Sequence, residues 1–261
     1  PFIDKIVNPL IVDESTQIAA LRTGAIDLQT EAGITYEDTL KGSCPELIMK
    51  GKTGTMMYFL SLNVTKEPYS NKEVRRALMI ALDREAIGEA LFPGGDVYSG
   101  WPVGKSVFGV YTPIDELPPE TQELFEYDPD LAKDMIADEY PEGLTGLEIV
   151  TKPGFDADIA SMILAYWADI GVEGKVLATD AATYSAMIRT NEHQCHISTQ
   201  GINNPISALS LQYMPPFTKS NPAMYENPDF TKRYEEAVQI VNAVERKAML
   251  KELTVFAIDT V

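Results

Sequence analysis

"YFLSLNVTKEPYSNKEVRRALMIALDREAI", Tyr58 to Ile87, decides the fold. Its first residues belong to an apolar, aromatic, partly alternating run from Thr55 to Val64, the signature of a strand. Ser70 then stands three residues before Glu73, a capping-box spacing in which the hydroxyl takes one free helix N–H and the carboxylate reaches back. Val74, Ala77, Leu78, Ala81 and Leu82 follow at helical spacing on one face. Asp83 reads as a second cap, with Ile87, Ala90 and Leu91 behind it and Pro93-Gly94-Gly95-Asp96 as the stop. A strand feeding two consecutive amphipathic helices reads as scaffold rather than an anion site. Arg75 and Arg76 are expected at its solvent edge or paired with carboxylates.

Outward from this block, strand and helix alternate. Upstream, Lys5 to Val12 reads as a strand, Ser15 as the cap of a helix that closes at Gly24, Ile26-Asp27-Leu28 as a short strand, and Tyr36 to Lys41 as a short helix. Downstream, residues 96–127 are loop-like. Asp128-Pro129 is a strong helix start, cap then Pro at N1. Leu147 to Thr151 is a strand, Asp156 to Ile170 an amphipathic helix closed by Gly171, and Val172 to Ala178 a strand. Asp180 caps a helix, His193 to Gln200 is a strand, and a polar loop, Gly201-Ile202-Asn203-Asn204-Pro205, follows. Asn227-Pro228-Asp229 opens a long helix, and Glu245 to Ile258 forms another. The alternation predicts α/β layering.

The chain has 261 residues, with 39 Asp plus Glu against 21 Lys plus Arg and a net charge of −18. That field repels phosphate backbones and anionic lipid, so nucleic acid and membrane surfaces are poor partners. No run of about 18 apolar residues is present to span a bilayer. Two cysteines, Cys44 and Cys195, make no disulfide framework. The chain opens with Pro1 and enters a strand at once, and it stops inside an apolar run, so it is expected to be a fragment cut at both ends.

Motifs for chemistry are scarce. "GWPVGKS", Gly100 to Ser106, has three residues where a phosphate-binding loop needs four, and Val107 to Pro113 cannot open the required helix. "HQCH", His193 to His196, would place His193 and Cys195 on one face of a strand and His196 on the other, so no metal site is expected. The sequence holds no G-x-S-x-G, H-E-x-x-H or C-x-x-C. No catalytic residue and no cofactor is called for.

Four blocks in order resemble a known family. They are "DESTQIAALRTGAIDL" with its L-x-x-G-x-I-D ending at Asp27, the block from Tyr58 to Ile87 with V-R-x-A-L and A-L-D-R-E-A-I, "YDPDLAKDMIADEY" from Tyr127 to Tyr140, and a helix ending at Ile170-Gly171-Val172 before a strand. The chain resembles the extracellular solute-binding proteins of family 5, the oligopeptide, dipeptide and nickel group that feed ABC importers. The resemblance covers essentially the whole chain. It implies an α/β, periplasmic-binding-protein-like fold of type II with a large second lobe. Residues 1–57 would be a partial first lobe and residues 58–261 a nearly complete second lobe, with a hinge near Tyr58 to Asn63. It also implies an extracytoplasmic, non-enzymatic monomer that closes on a peptide or other small polar ligand and hands it to the transporter's membrane subunits.

In peptide-binding members the loop after the strand matching His193 to Gln200 commonly carries G-W and then an Asp that pairs with the peptide's α-ammonium. This chain reads Gly201-Ile202-Asn203-Asn204, with neither Trp nor Asp. An Asn hydrogen-bonds but does not neutralise an ammonium, which puts α-amino peptides in doubt and leaves sugars, opine-like compounds and other polar solutes. The residues expected to touch ligand are Gly201, Ile202, Asn203 and Asn204, then Trp101, Tyr58 and Asn63 by loop or hinge position. Two other readings stay open: a carboxylate-dependent hydrolase, and a partner-binding module without a small ligand.

Overall fold

The computed structural model describes residues 3–30, 32–33, 36–50, 56–92, 102–201, 203–213 and 221–260. The chain divides into two compact units, Pro1–Lys52 and Thr53–Val261.

The first unit holds two helices, α1 (Glu14–Arg22) and α2 (Glu37–Ser43). Asp13, not Ser15, caps α1. Its Oδ1 accepts from Thr16 N at 2.8 Å, and the Ser15 hydroxyl donates into the same carboxylate at 2.6 Å. A carboxylate two residues earlier outcompetes the hydroxyl because it can accept both bonds at once. The helix ends as read, with Gly24 at φ +68°. Residues 5–12 and 26–28, expected as strands, carry no regular structure. Most of their apolar side chains stay in solvent, Leu10 93% and Val12 89% exposed. A strand forms only against a partner ladder, and the described residues of this unit offer none.

The second unit is built on a four-stranded sheet: β1 (Met56–Leu62), β2 (Leu144–Thr151), β3 (Val172–Ala178) and β4 (Cys195–Gly201), in the order β1-β4-β2-β3. β4 and β2 run parallel, as do β2 and β3, while β1 runs antiparallel to β4 with Met56 opposite Gly201 and Leu62 opposite Cys195. One face carries Leu60, Leu62, Cys195, Ile197, Leu147, Ile149 and Val176, and it packs on α3 (Lys72–Ile80), α6 (Pro129–Glu139) and α7 (Phe155–Asp169). Between α3 and α6 lie α4 (Arg84–Leu91) and the short α5 (Pro119–Gln122). Trp167 of α7 is fully buried in that core, and its Nε1 donates to Leu78 O at 3.0 Å, so the indole brings no unpaired donor inside. Gly174 permits close packing on β3: a Cβ there would sit 2.8 Å from Leu147 O and from Leu164 Cδ2.

The deciding block folds as scaffold. Val74, Ala77, Leu78 and Ala81 are buried, and Leu82 packs against them. The cap is Asn71, whose side chain accepts from Glu73 N at 2.9 Å, while the Ser70 hydroxyl donates to Glu67 at 2.7 Å. Asp83 caps α4 as expected, accepting from Ala86 N at 2.9 Å. Both arginines are only 8% exposed, so neither sits at the solvent edge; Arg76 takes the expected carboxylate partner and Arg75 does not. Arg75 donates to the carbonyls of Tyr69, Ser70 and Thr260 at 2.8, 3.1 and 3.0 Å. Arg76 pairs with Glu123 at 2.7 Å and also donates to Glu120 O. Neighbours distant in sequence cover both guanidinium groups, and the planar fork satisfies several oxygens at once.

The opposite sheet face carries Ser61, His196 and Gln200 and is covered by α8 (Ala181–Arg189), whose Tyr184 hydroxyl lies 2.7 Å from both His196 Nδ1 and Ile197 O. A second core joins α9 (Pro205–Tyr213), α10 (Pro228–Gln239) and α11 (Ala243–Asp259) through Leu209, Phe230, Leu250 and Leu253. Gln200 ties it to the sheet by donating to Ala208 O at 2.9 Å. The caps at Asp128, Asp180 and Asn227 form as read.

Candidate functional site

β2, β3 and β4 end at Thr151, Ala178 and Gly201, and antiparallel β1 begins beside the last of these. In open α/β sheets the carboxyl edge of the strands is where loops diverge and leave room for a ligand. This edge gathers Tyr58, Gly201, Asn203 and Asn204, all exposed. Tyr58 lies opposite Thr199, two positions in from Gly201. Asn203 Oδ1 accepts from the Ser106 hydroxyl at 3.0 Å, which fixes the amide and leaves its NH2 group without a partner among the described residues. Asn204 caps α9, accepting from Ile206 N at 3.1 Å and Ser207 N at 3.2 Å. Its carboxamide oxygen is therefore a structural acceptor first.

Three aromatic rings stand at the same edge. Tyr58, Phe92 just past α4 and Phe155 at the start of α7 contact one another, with centroids 5.8, 5.5 and 5.1 Å apart for Tyr58–Phe92, Tyr58–Phe155 and Phe92–Phe155. Each remains 36–37% exposed, so the cluster is open to solvent. Burial first, and the Asp156 carboxylate second, push the Tyr58 phenol above its usual range, so it stays a neutral donor at physiological pH. Lys152, next after β2, pairs with Asp156 at 3.2 Å and sits 5.9 Å from the Tyr184 ring centroid. Phe92, Phe155 and Lys152 escape sequence reading because each stands at the boundary of an element, off any apolar stripe.

Asn63 lies elsewhere. β1 carries it about 17 Å from Tyr58 to the opposite end of the sheet. There it is fully buried, with Nδ2 donating to His193 O at 3.1 Å and Oδ1 accepting from Thr65 N and Oγ1. Trp101 and Ile202 fall outside the described residues. Pro102 to Val110 forms turns and not the helix that a phosphate-binding loop would open.

The histidines also correct an expectation. β4 starts at Cys195, so His193 precedes the alternation, and its ring meets that of His196 edge-on at 5.1 Å. Among the described residues no three His, Cys, Asp or Glu side chains converge.

Residues 1–223 match the family described as bacterial extracellular solute-binding proteins, family 5 Middle. Heme-binding protein A of Haemophilus influenzae is 27% identical over 97% of this chain and 46% of its own length. Glutathione-binding protein GsiB of Salmonella typhimurium is 25% identical over 97% of this chain and 50% of its own. The solved structure of the ABC transporter-associated periplasmic binding protein DppA from Helicobacter pylori, in complex with the peptide STSA, superposes with a TM-score of 0.79 at 21% identity, over 96% of this chain and 48% of that one. The chain thus spans about half the length of these relatives, between 46% and 50%. Its mixed α/β fold is that of periplasmic binding proteins. The chain belongs to the bacterial extracellular solute-binding proteins of family 5.

Proposed function

We propose that the protein bearing this chain is the solute-binding component of an ABC importer, working outside the cytoplasm and delivering a peptide or other small polar solute to membrane subunits. The observation that carries this reading is family membership over residues 1–223, joined to an exposed edge of amide and aromatic groups at the carboxyl end of the sheet. Tyr58, Gly201, Asn203 and Asn204 contribute there, amides for hydrogen bonds and the phenol for contact area. Residues 58–261 act as the second lobe, with β1 next to the hinge, and residues 1–57 as part of the first.

Gly201, Asn203 and Asn204 are exposed rather than packed shut, which favours a small ligand over a purely partner-binding role.

A thermal-shift screen of the full-length protein against peptides, glutathione, sugars, opines, hemin and nickel tests the reading. At about 100 times the dissociation constant a ligand adds roughly 2.7 kcal/mol and several degrees. A shift with one class is expected. A flat response across all classes, or turnover of any compound, overturns it.

A further inference from the structure

We infer that Tyr58, Phe92 and Phe155 form a specificity subsite for an aromatic side chain of a short peptide. The inference rests on the solute-binding reading above and adds the ligand group selected. Three rings from three separate elements meet at 5.1–5.8 Å in tilted and edge-on arrangements. That is the spacing at which aromatic clusters extend by one more ring, whose edge finds a face and whose face finds an edge. Each of the three residues is about a third exposed, so the area an additional ring would cover is already assembled.

Charge narrows the group. The chain carries −18 overall, which disfavours an acidic side chain, and the Asp156 carboxylate acts electrostatically on Tyr58. A cationic side chain gains little, because Asp156 is already paired with Lys152 at 3.2 Å and its side chain is only 12% exposed. A neutral ring meets neither obstacle. Its positively polarised edge can turn toward the carboxylate and its faces toward Phe92 and Phe155.

Calorimetric titration of the full-length protein with N-acetyl-Ala-Phe-Ala, N-acetyl-Ala-Gly-Ala and N-acetyl-Ala-Lys-Ala decides it. The blocked amine suits a loop that offers Asn203 in place of an acid. Covering one phenyl group is expected to make the Phe peptide bind about ten- to a hundredfold more tightly than the Gly peptide. Phe155→Ala should bring that ratio toward one, and Phe155→Tyr should keep most of it. Equal affinities, or a preference for Lys, overturn the subsite while solute binding stands. No binding of any of the three rejects the subsite as well, and the functional reading then survives only if another solute binds.

Discussion

The ring of His193 stands edge-on to that of His196, centroids 5.1 Å apart, with both residues almost wholly buried. His193 Nε2 faces the carbonyl of Pro222 at 2.8 Å, so that nitrogen carries the hydrogen. Tyr184 gives its one hydrogen to Ile197 O and so accepts from His196 Nδ1. The other nitrogens, His193 Nδ1 and His196 Nε2, are buried with no partner among the described residues. Burial holds both rings below the usual imidazole range. For His196 the pKa falls to about 3, with the neighbouring ring as second cause.

Acid sensitivity follows. With folded pKa values below the unfolded ones, the unfolded chain takes up more protons as pH drops from the ordinary imidazole value. Stability is full above about pH 6.5 and is lost below it, at roughly 1.4 kcal/mol per pH unit for each proton taken up. Denaturant midpoints measured between pH 6.5 and 5, where most carboxylates are still ionised, should fall in the wild type. His196→Phe should flatten that slope. An unchanged slope would refute the assignment.

Asn203 separates neutral from ammonium recognition. Asn203→Asp places a carboxylate at an exposed edge position and should raise affinity for free-amine peptides over their N-acetylated forms by about tenfold, the scale of one charge-assisted bond. Paired titrations of the two peptide forms check this. A variant with unchanged preference would remove the loop from ligand contact.

Arg75 joins the start of α3 to the end of α11 through Thr260. Arg75→Ala strips three carbonyls of a shared donor and should cost about 2–4 kcal/mol in equilibrium unfolding. Arg75→Lys should recover only part, since an ammonium lacks the planar fork. A surface-like loss of a few tenths for Arg75→Ala would contradict the buried geometry.

Gly174→Ala should destabilise by about 1–3 kcal/mol, because the new methyl meets backbone at Leu147 O as well as the movable Leu164 side chain. A neutral substitution would mean that β2 and β3 part more easily than their packing indicates.

Local signals in the sequence were enough for most helices. Asp128-Pro129, Asp180 and Asn227-Pro228 place caps because side chain and helix end lie within three residues of each other. Signals that depend on a distant partner did not carry. Lys5 to Val12 reads as a strand yet has no ladder among the described residues of its unit, and Arg75, expected at the solvent edge or on a carboxylate, is instead buried on backbone carbonyls that include Thr260 O. The site divides the same way. The antiparallel register of β1 and β4 brings Tyr58 to Gly201 and sends Asn63 to the far end, and no hydrophobic pattern states a register between strands this far apart. The aromatic cluster was invisible because its three rings come from β1, the end of α4 and the start of α7.

Hydrogen exchange of the full-length protein, with and without the solute that stabilises it most, tests the central claim directly. Binding at the carboxyl edge of the sheet predicts added protection at residues 57–60 and 203–207, with the far end around Asn63 and His193 unchanged. Protection confined to that far end, or none in this chain, would contradict the account.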